Sequence, residues 1–273
     1  KVALASIRGL LSRLPTQKIR SAGQELLQQF STPPQLAWLA DKALSPQSDD
    51  VVMEPSAGTG SLVAMLRGMV RKVMVNEIDP HRREMLRMQG YENITDADAE
   101  FLNGTLEAKG VTERPTAIVM NPPFSSTGGR VKSNKNKFGH AHVIQAFQRL
   151  APGGRLVAIL GEGTTMTAPS ARNLWAYLKK NGQIRANVGI DGREYTKYGT
   201  TFGNRLLIVD KVAPSDAAPI QGDFKTVEEA WDAIRPIAED RRSVGVGQKP
   251  DVAGGVGSEN PTAPGVGSGQ GRK

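Results

Sequence analysis

The sequence predicts an α/β fold, a Rossmann-like and mostly parallel sheet with helices on both faces, and three observations lead there. Short β-rich runs alternate with stretches of helical periodicity through the body of the chain. One of these runs passes directly into a glycine turn, Pro55-Ser56-Ala57-Gly58-Thr59-Gly60. The next run ends on an acidic residue, Glu77, roughly 20 positions further on, the spacing of a nucleotide-type βαβ unit. With 273 residues, 38% hydrophobic and 23% charged, the chain has room for one large domain with an ample core.

Taken in order, residues 1–27 read as a basic, helical N-terminal segment, and 28–240 as the α/β domain. Strands are expected at Val51–Glu54, Lys72–Asn76, Ala117–Met120, Arg155–Leu160, Ile184–Ile190 and Arg205–Asp210. Helices are expected at Pro34–Leu44, Gly60–Met69, Arg82–Gln89, His142–Leu150 and Ala171–Lys180. Pro152-Gly153-Gly154 makes a turn before the fourth strand. A last helix, Thr226–Ile237, carries Val227, Ala230, Trp231 and Ile234 on one face and is limited by Pro236. Residues 241–273 are rich in Gly, Val, Ser and Pro without apolar periodicity, which predicts a disordered tail or a linker to a further domain.

The glycine turn suits close approach to a ligand, because Gly58 and Gly60 can adopt conformations closed to other residues and free N–H groups follow. A tight turn used only for packing is the alternative. Glu77 sits where a ribose diol would be hydrogen-bonded. Asp79 is read as a helix cap, with Pro80 at the first helical position. Asp98 could accept from an adenine amino group, or could make only a local turn.

The sharpest motif is Asn121-Pro122-Pro123-Phe124 at the end of an apolar strand. An amine on an aromatic ring is a poor nucleophile, since its lone pair is delocalised. The Asn121 side-chain oxygen and the Pro122 carbonyl can both accept from such an amine, drawing the nitrogen toward tetrahedral geometry. Pro122 and Pro123 stiffen the turn, and Phe124 can stack on a base taken out of its helix.

These motifs resemble those of amino-methyltransferases of the class I fold, especially adenine-N6 DNA methyltransferases, over about Gln28 to Lys211. The resemblance implies S-adenosyl-L-methionine as cofactor and N6 of adenine in DNA as acceptor. It places the cofactor motif at Glu54, Pro55, Ser56, Ala57, Gly58 and Gly60, with Glu77 and Asp98 beyond. It assigns Asn121, Pro122, Pro123 and Phe124 to the reacting amine and its base. Phe30-Ser31-Thr32-Pro33-Pro34 is similar to the segment that packs against the methionine end of the cofactor. Among Tyr195, Tyr198 and Phe202, Tyr198 is favoured as a further aromatic against the base. The tail composition is also similar to that of large phage- and plasmid-encoded proteins in which such a domain precedes a helicase-like region.

The formal net charge of +8 points to a polyanionic partner, with a merely solubilising surface as the alternative. Arg130, Lys132, Lys135 and Lys137 follow the Asn-Pro-Pro-Phe turn in a stretch free of acidic residues, as a phosphate-gripping lid would require. No large target-recognition segment follows Asp210, so sequence readout is expected from a further domain or partner, or is absent. RNA-base or protein-glutamine methylation, and a catalytically silent nucleic-acid clamp, are the competing functions. Zero cysteines exclude disulfides and zinc–thiolate sites. His140 and His142 are isolated, and the chemistry needs no metal. No apolar run reaches the roughly 20 residues of a membrane helix, and a cytoplasmic location is expected.

Overall fold

The computed structural model describes residues 2–13, 32–123, 137–198 and 203–241. Its helices are α1 (Val2–Ser12), α2 (Pro34–Leu44), α3 (Pro80–Met88), α4 (Leu102–Ala108), α5 (Lys137–Arg149), α6 (Arg172–Asn181) and α7 (Val227–Glu239). The strands are β1 (Val51–Glu54), β2 (Lys72–Asn76), β3 (Asn93–Thr95), β4 (Ala117–Met120), β5 (Arg155–Gly161), β6 (Gln183–Ile190), β7 (Asn204–Asp210) and β8 (Ile220–Phe224).

All eight strands join one sheet in the order β3-β2-β1-β4-β5-β7-β6-β8. Pairing is parallel from β3 to β5, whereas β7 runs antiparallel to both β5 and β6. The chain between Ile190 and Asn204 carries only a 3₁₀ segment, Gly192–Tyr198, and no crossover helix among the described residues, so β7 turns back on β6. Alternate residues of each strand feed two cores, as a sheet covered on both sides demands. Val52, Val119, Val157, Val188 and Ile208 face a core shared with Leu39 of α2, Leu86 of α3 and Ile234 of α7. Met53, Ile118, Leu156 and Val209 face the other, with Leu106 of α4, Phe147 of α5 and Leu178 of α6. Each such side chain contributes about 1.5–3 kcal/mol on burial.

Charge pairs fasten the lower edge of this sheet. Arg155 and Asp210 lie opposite each other on β5 and β7 and join through two bonds of 2.7 and 3.0 Å. Arg241, just beyond α7, grips buried Asp50 through two bonds of 2.7 Å. Both pairs are bidentate, the geometry that best offsets the cost of burying charge.

The structure corrects two expected elements. Gly60–Met69 is not a helix: it forms successive turns with a 3₁₀ turn at Ala64–Leu66. Gly60 and Gly68 hold φ of 78° and 77°, outside the helical region. A Cβ on Gly60 would meet Leu86 at 2.9 Å and Tyr91 at 3.1 Å, so the chain here is moulded onto α3. Pro236 does not end α7, which continues to Glu239. Three elements were not anticipated: β3, a three-residue strand; α4, a seven-residue helix with Gly104 inside it; and β8, an edge strand alternating Ile220, Gly222 and Phe224 with polar residues.

Candidate active site

A cleft opens at the carboxyl ends of β1, β2, β3 and β4, beside the point where strand order reverses between β1 and β4. Open α/β sheets bind ligands at such a switch point. Glu54, Ser56, Gly58, Glu77, Asp98 and Asn121 are among the residues that line the cleft.

Hydrogen bonds from the ends of β1 and β2 shape the near wall. Gly58, at φ 57°, donates its N–H to Glu77 Oε2 at 2.6 Å, and Asp79 N–H donates to Glu77 Oε1 at 2.8 Å. Glu77 thus fastens the glycine turn while presenting its remaining lone pairs to the cleft. Asp79 caps α3 as expected, accepting from His81 and Arg82 N–H, with Pro80 at the first position. Behind them, buried Asn76 donates to the carbonyls of Pro55 and Ala97 at 2.9 and 2.8 Å and accepts from Ala97 N–H at 2.8 Å. That amide ties the glycine turn to the loop bearing Asp98. Asp98 makes the local turn read for it, capping a 3₁₀ turn through Glu100 N–H, and it also lines the cleft.

The far wall is the turn after β4. Nδ2 of Asn121 donates to Thr32 Oγ1 at 2.9 Å and to Tyr195 Oη at 3.3 Å. Its Oδ1 makes no bond among the described residues and is left to accept from a ligand. Gly139 of α5 packs against the same turn, since a Cβ there would stand 2.9 Å from the Pro123 carbonyl oxygen.

Electrostatically the cleft is acidic within a basic protein. Burial holds the Glu54 carboxyl well above the usual carboxylate range, and the nearby Asp41 and Glu77 carboxylates push the same way. Its Oε2 is buried with no hydrogen-bond partner. Burial also raises Glu77, opposed by the Asp79 and Gly58 N–H groups and by Arg82. His142 lines the cleft, and burial lowers its imidazole to about 4, so the ring is neutral at physiological pH.

The structure therefore brings Thr32, Glu54, Pro55, Ser56, Ala57, Gly58, Glu77, Asp98, Asn121, Pro122 and Pro123 to one cleft. Pro33 instead caps α2, and Gly60 packs against α3. Phe124, Arg130, Lys132 and Lys135 lie outside the described residues, as do the side chains of Lys137 and Tyr198 and the 242–273 tail. Asn76 and Arg82 are cleft residues with no signal of their own in the sequence, and His142, isolated in the sequence, lines the cleft as well. Tyr195, not selected over Tyr198, is the tyrosine joined to Asn121. No helix among the described residues is long and apolar enough to cross a membrane.

The fold resembles the methyltransferase subunit of a type I restriction-modification system from Streptococcus thermophilus, at TM-score 0.58 and 17% identity, over 77% of this chain and 53% of that one. It also resembles a protein assigned as the modification subunit of a type I restriction enzyme from Vibrio vulnificus, at TM-score 0.56 and 17% identity, over 79% and 54%. This chain thus spans about half the length of those subunits. A protein assigned as an RNA methyltransferase from Pyrococcus horikoshii aligns at TM-score 0.54 and 19% identity, over 78% of this chain and 100% of that one. In sequence, 54 residues are 43% identical to L-threonine 3-dehydrogenase of Rhizobium johnstonii, which is 20% of this chain and 15% of that protein. The mostly parallel eight-stranded sheet with its helices is that of a class I methyltransferase fold. The family model for N-6 DNA methylases matches residues 9–214, spanning both walls of the cleft, and the chain belongs to that family.

Proposed function

We propose that this domain transfers a methyl group from S-adenosyl-L-methionine to the exocyclic N6 amine of adenine in DNA. The observation that carries the reading is the Asn121 amide, held through Nδ2 by two hydroxyls so that Oδ1 is free for an acceptor amine. The cleft residues fit the cofactor. Glu54, with its orphaned buried oxygen, suits the methionine ammonium; Glu77 suits the ribose diol; Asp98 suits the adenine amine. When bound, that cofactor supplies an electrophilic methyl group. Asn121 Oδ1 and the Pro122 carbonyl accept the two N–H bonds of the target amine, concentrating its lone pair on the face toward the cleft. Pro122 and Pro123 keep the acceptors in place without rearrangement.

Family membership favours DNA over RNA or protein as the acceptor. Phosphate contacts fall to Arg130, Lys132, Lys135 and Lys137, and sequence readout to a further domain or partner subunit. In support, β8 and α7, which follow β7 among the described residues, pack onto the central sheet. The test is incubation with isotope-labelled cofactor and DNA, RNA or protein, followed by nucleoside mass spectrometry. N6-methyladenine from DNA supports the reading; label confined to RNA or protein overturns it.

A further inference from the structure

We propose that the N-terminal helix braces the catalytic amide, acting through Arg8, Glu194 and Tyr195; the proposal rests on Asn121 being the group that accepts the target amine. The helix is anchored by Leu4, buried in the core, with Ile7 packed against the same core. From α1, the Arg8 guanidinium reaches two carboxylates on different elements. It meets Glu194 at 2.9 Å and takes Glu228, in the first turn of α7, through contacts of 2.9 and 3.0 Å. Glu194 stands in the 3₁₀ segment Gly192–Tyr198, and its neighbour Tyr195 carries the hydroxyl that meets Asn121 Nδ2.

Within that segment, Arg193 bonds to Asp191 and Thr196 to the Arg193 carbonyl, both local contacts. Arg8 instead ties the segment to α1 and α7. Without it, Glu194 and Glu228 would face each other as like charges, and Glu194 would lose the stronger of the two cations, Arg8 and Arg193, that oppose its burial. The segment would then relax, carrying the Tyr195 hydroxyl away from Asn121. Arg8 lies one residue before the family match, which covers 9–214 and so includes Asn121, Glu194 and Tyr195. Tyr195 and Arg8 are positioning residues in this scheme, since neither need touch the substrate.

The experiment labels the full chain with ¹⁵N-asparagine and assigns the Asn121 side-chain NH₂ pair by its loss in Asn121→Asp. Tyr195→Phe and Arg8→Gln should each shift that pair and speed its exchange with water by about threefold or more, the loss of one modest hydrogen bond. Arg8→Lys should restore part of the parent signal. Arg235→Gln, on an exposed pair with Glu239, should leave it unchanged. In parallel, both variants should lower kcat for DNA methylation by roughly three- to tenfold with cofactor affinity unchanged. The double variant should be no slower than Tyr195→Phe alone, because the brace acts only through that hydroxyl. An Asn121 signal that moves in Tyr195→Phe but not in Arg8→Gln, or additive rate losses, would overturn the brace. A parent protein that methylates no DNA would sink the proposed function, while the resonance measurements would still decide the brace.

Discussion

Thr32 and Asn121 stand 89 positions apart in the chain, yet the Asn121 amide donates to the Thr32 hydroxyl at 2.9 Å. This bond joins the segment entering α2 to the turn leaving β4 and fixes which end of the amide faces the cleft. An amide free to flip would present NH₂ to the target amine half the time, and two donors cannot pair. Thr32→Val keeps the side-chain shape and removes the hydroxyl. It should lower kcat by about 1 kcal/mol in barrier height, roughly fivefold, with cofactor affinity within about twofold of the parent. Single-turnover kinetics and calorimetry measure the two quantities separately. Equal losses in both would mean that Thr32 serves the cofactor and not the amide.

Glu77 has a double duty that its sequence spacing alone did not reveal. Both carboxylate oxygens already accept backbone N–H bonds, from Gly58 and Asp79, before any ligand is considered. Glu77→Ala should therefore weaken cofactor binding by about 1.5–3 kcal/mol and also lower the melting temperature, since two N–H donors lose a charged acceptor. Calorimetry and thermal unfolding should show both losses. Unchanged affinity in a folded Glu77→Ala protein would remove the residue from the binding site.

Much of this site was legible in the sequence because backbone constraints write themselves into residue type. The glycines at 58 and 60, the prolines at 122 and 123 and the acid closing β2 each mark a conformation or position that few residues satisfy. Gly60–Met69 was misread because its apolar spacing is helical, while the glycines at its ends adopt positive φ and the segment packs onto α3. Asn76 and Tyr195 were illegible for another reason: their partners lie far off in sequence. Asn76 looks like an ordinary strand end until its bonds to Pro55 and Ala97 are seen. Tyr195 and Tyr198 share one short segment, and only the three-dimensional path puts the hydroxyl of Tyr195 against Asn121.

Gly139 tests whether the catalytic turn tolerates displacement. A methyl group there would stand 2.9 Å from the Pro123 carbonyl oxygen, a backbone atom with little freedom to yield. Since the residue lies in α5, alanine suits its local conformation and should not itself disfavour the helix. Gly139→Ala should push Pro122 and Pro123 by several tenths of an ångström and reduce kcat by about tenfold or more, because amine methylation depends on alignment. Cofactor affinity should change far less, as the Glu54, Glu77 and Asp98 side of the cleft is untouched. A variant with the parent's kcat would show that the turn adapts without cost.

Asp41 should make the stability of the fold depend on pH in an unusual direction. It lies on α2, buried, with neither carboxyl oxygen hydrogen-bonded, and burial pushes it up to about 8, opposed by the Lys42 charge. In the unfolded chain the same group titrates near 3.8. A raised carboxyl contributes its full stability below the unfolded value, and that contribution is lost as pH rises toward the folded one. Stability should accordingly fall between about pH 4 and pH 8, on the order of a few kcal/mol in total. Glu54, raised by burial and by the Asp41 charge, adds to the fall in the same direction. Asp41→Asn removes the titration while keeping the side-chain size, so the variant should have a flatter profile and exceed the parent's melting temperature at pH 8. At pH 4 the two proteins should melt alike, because Asp41 is then protonated in the folded state. Thermal unfolding across this range decides the matter: parallel profiles for parent and variant would place the proton elsewhere.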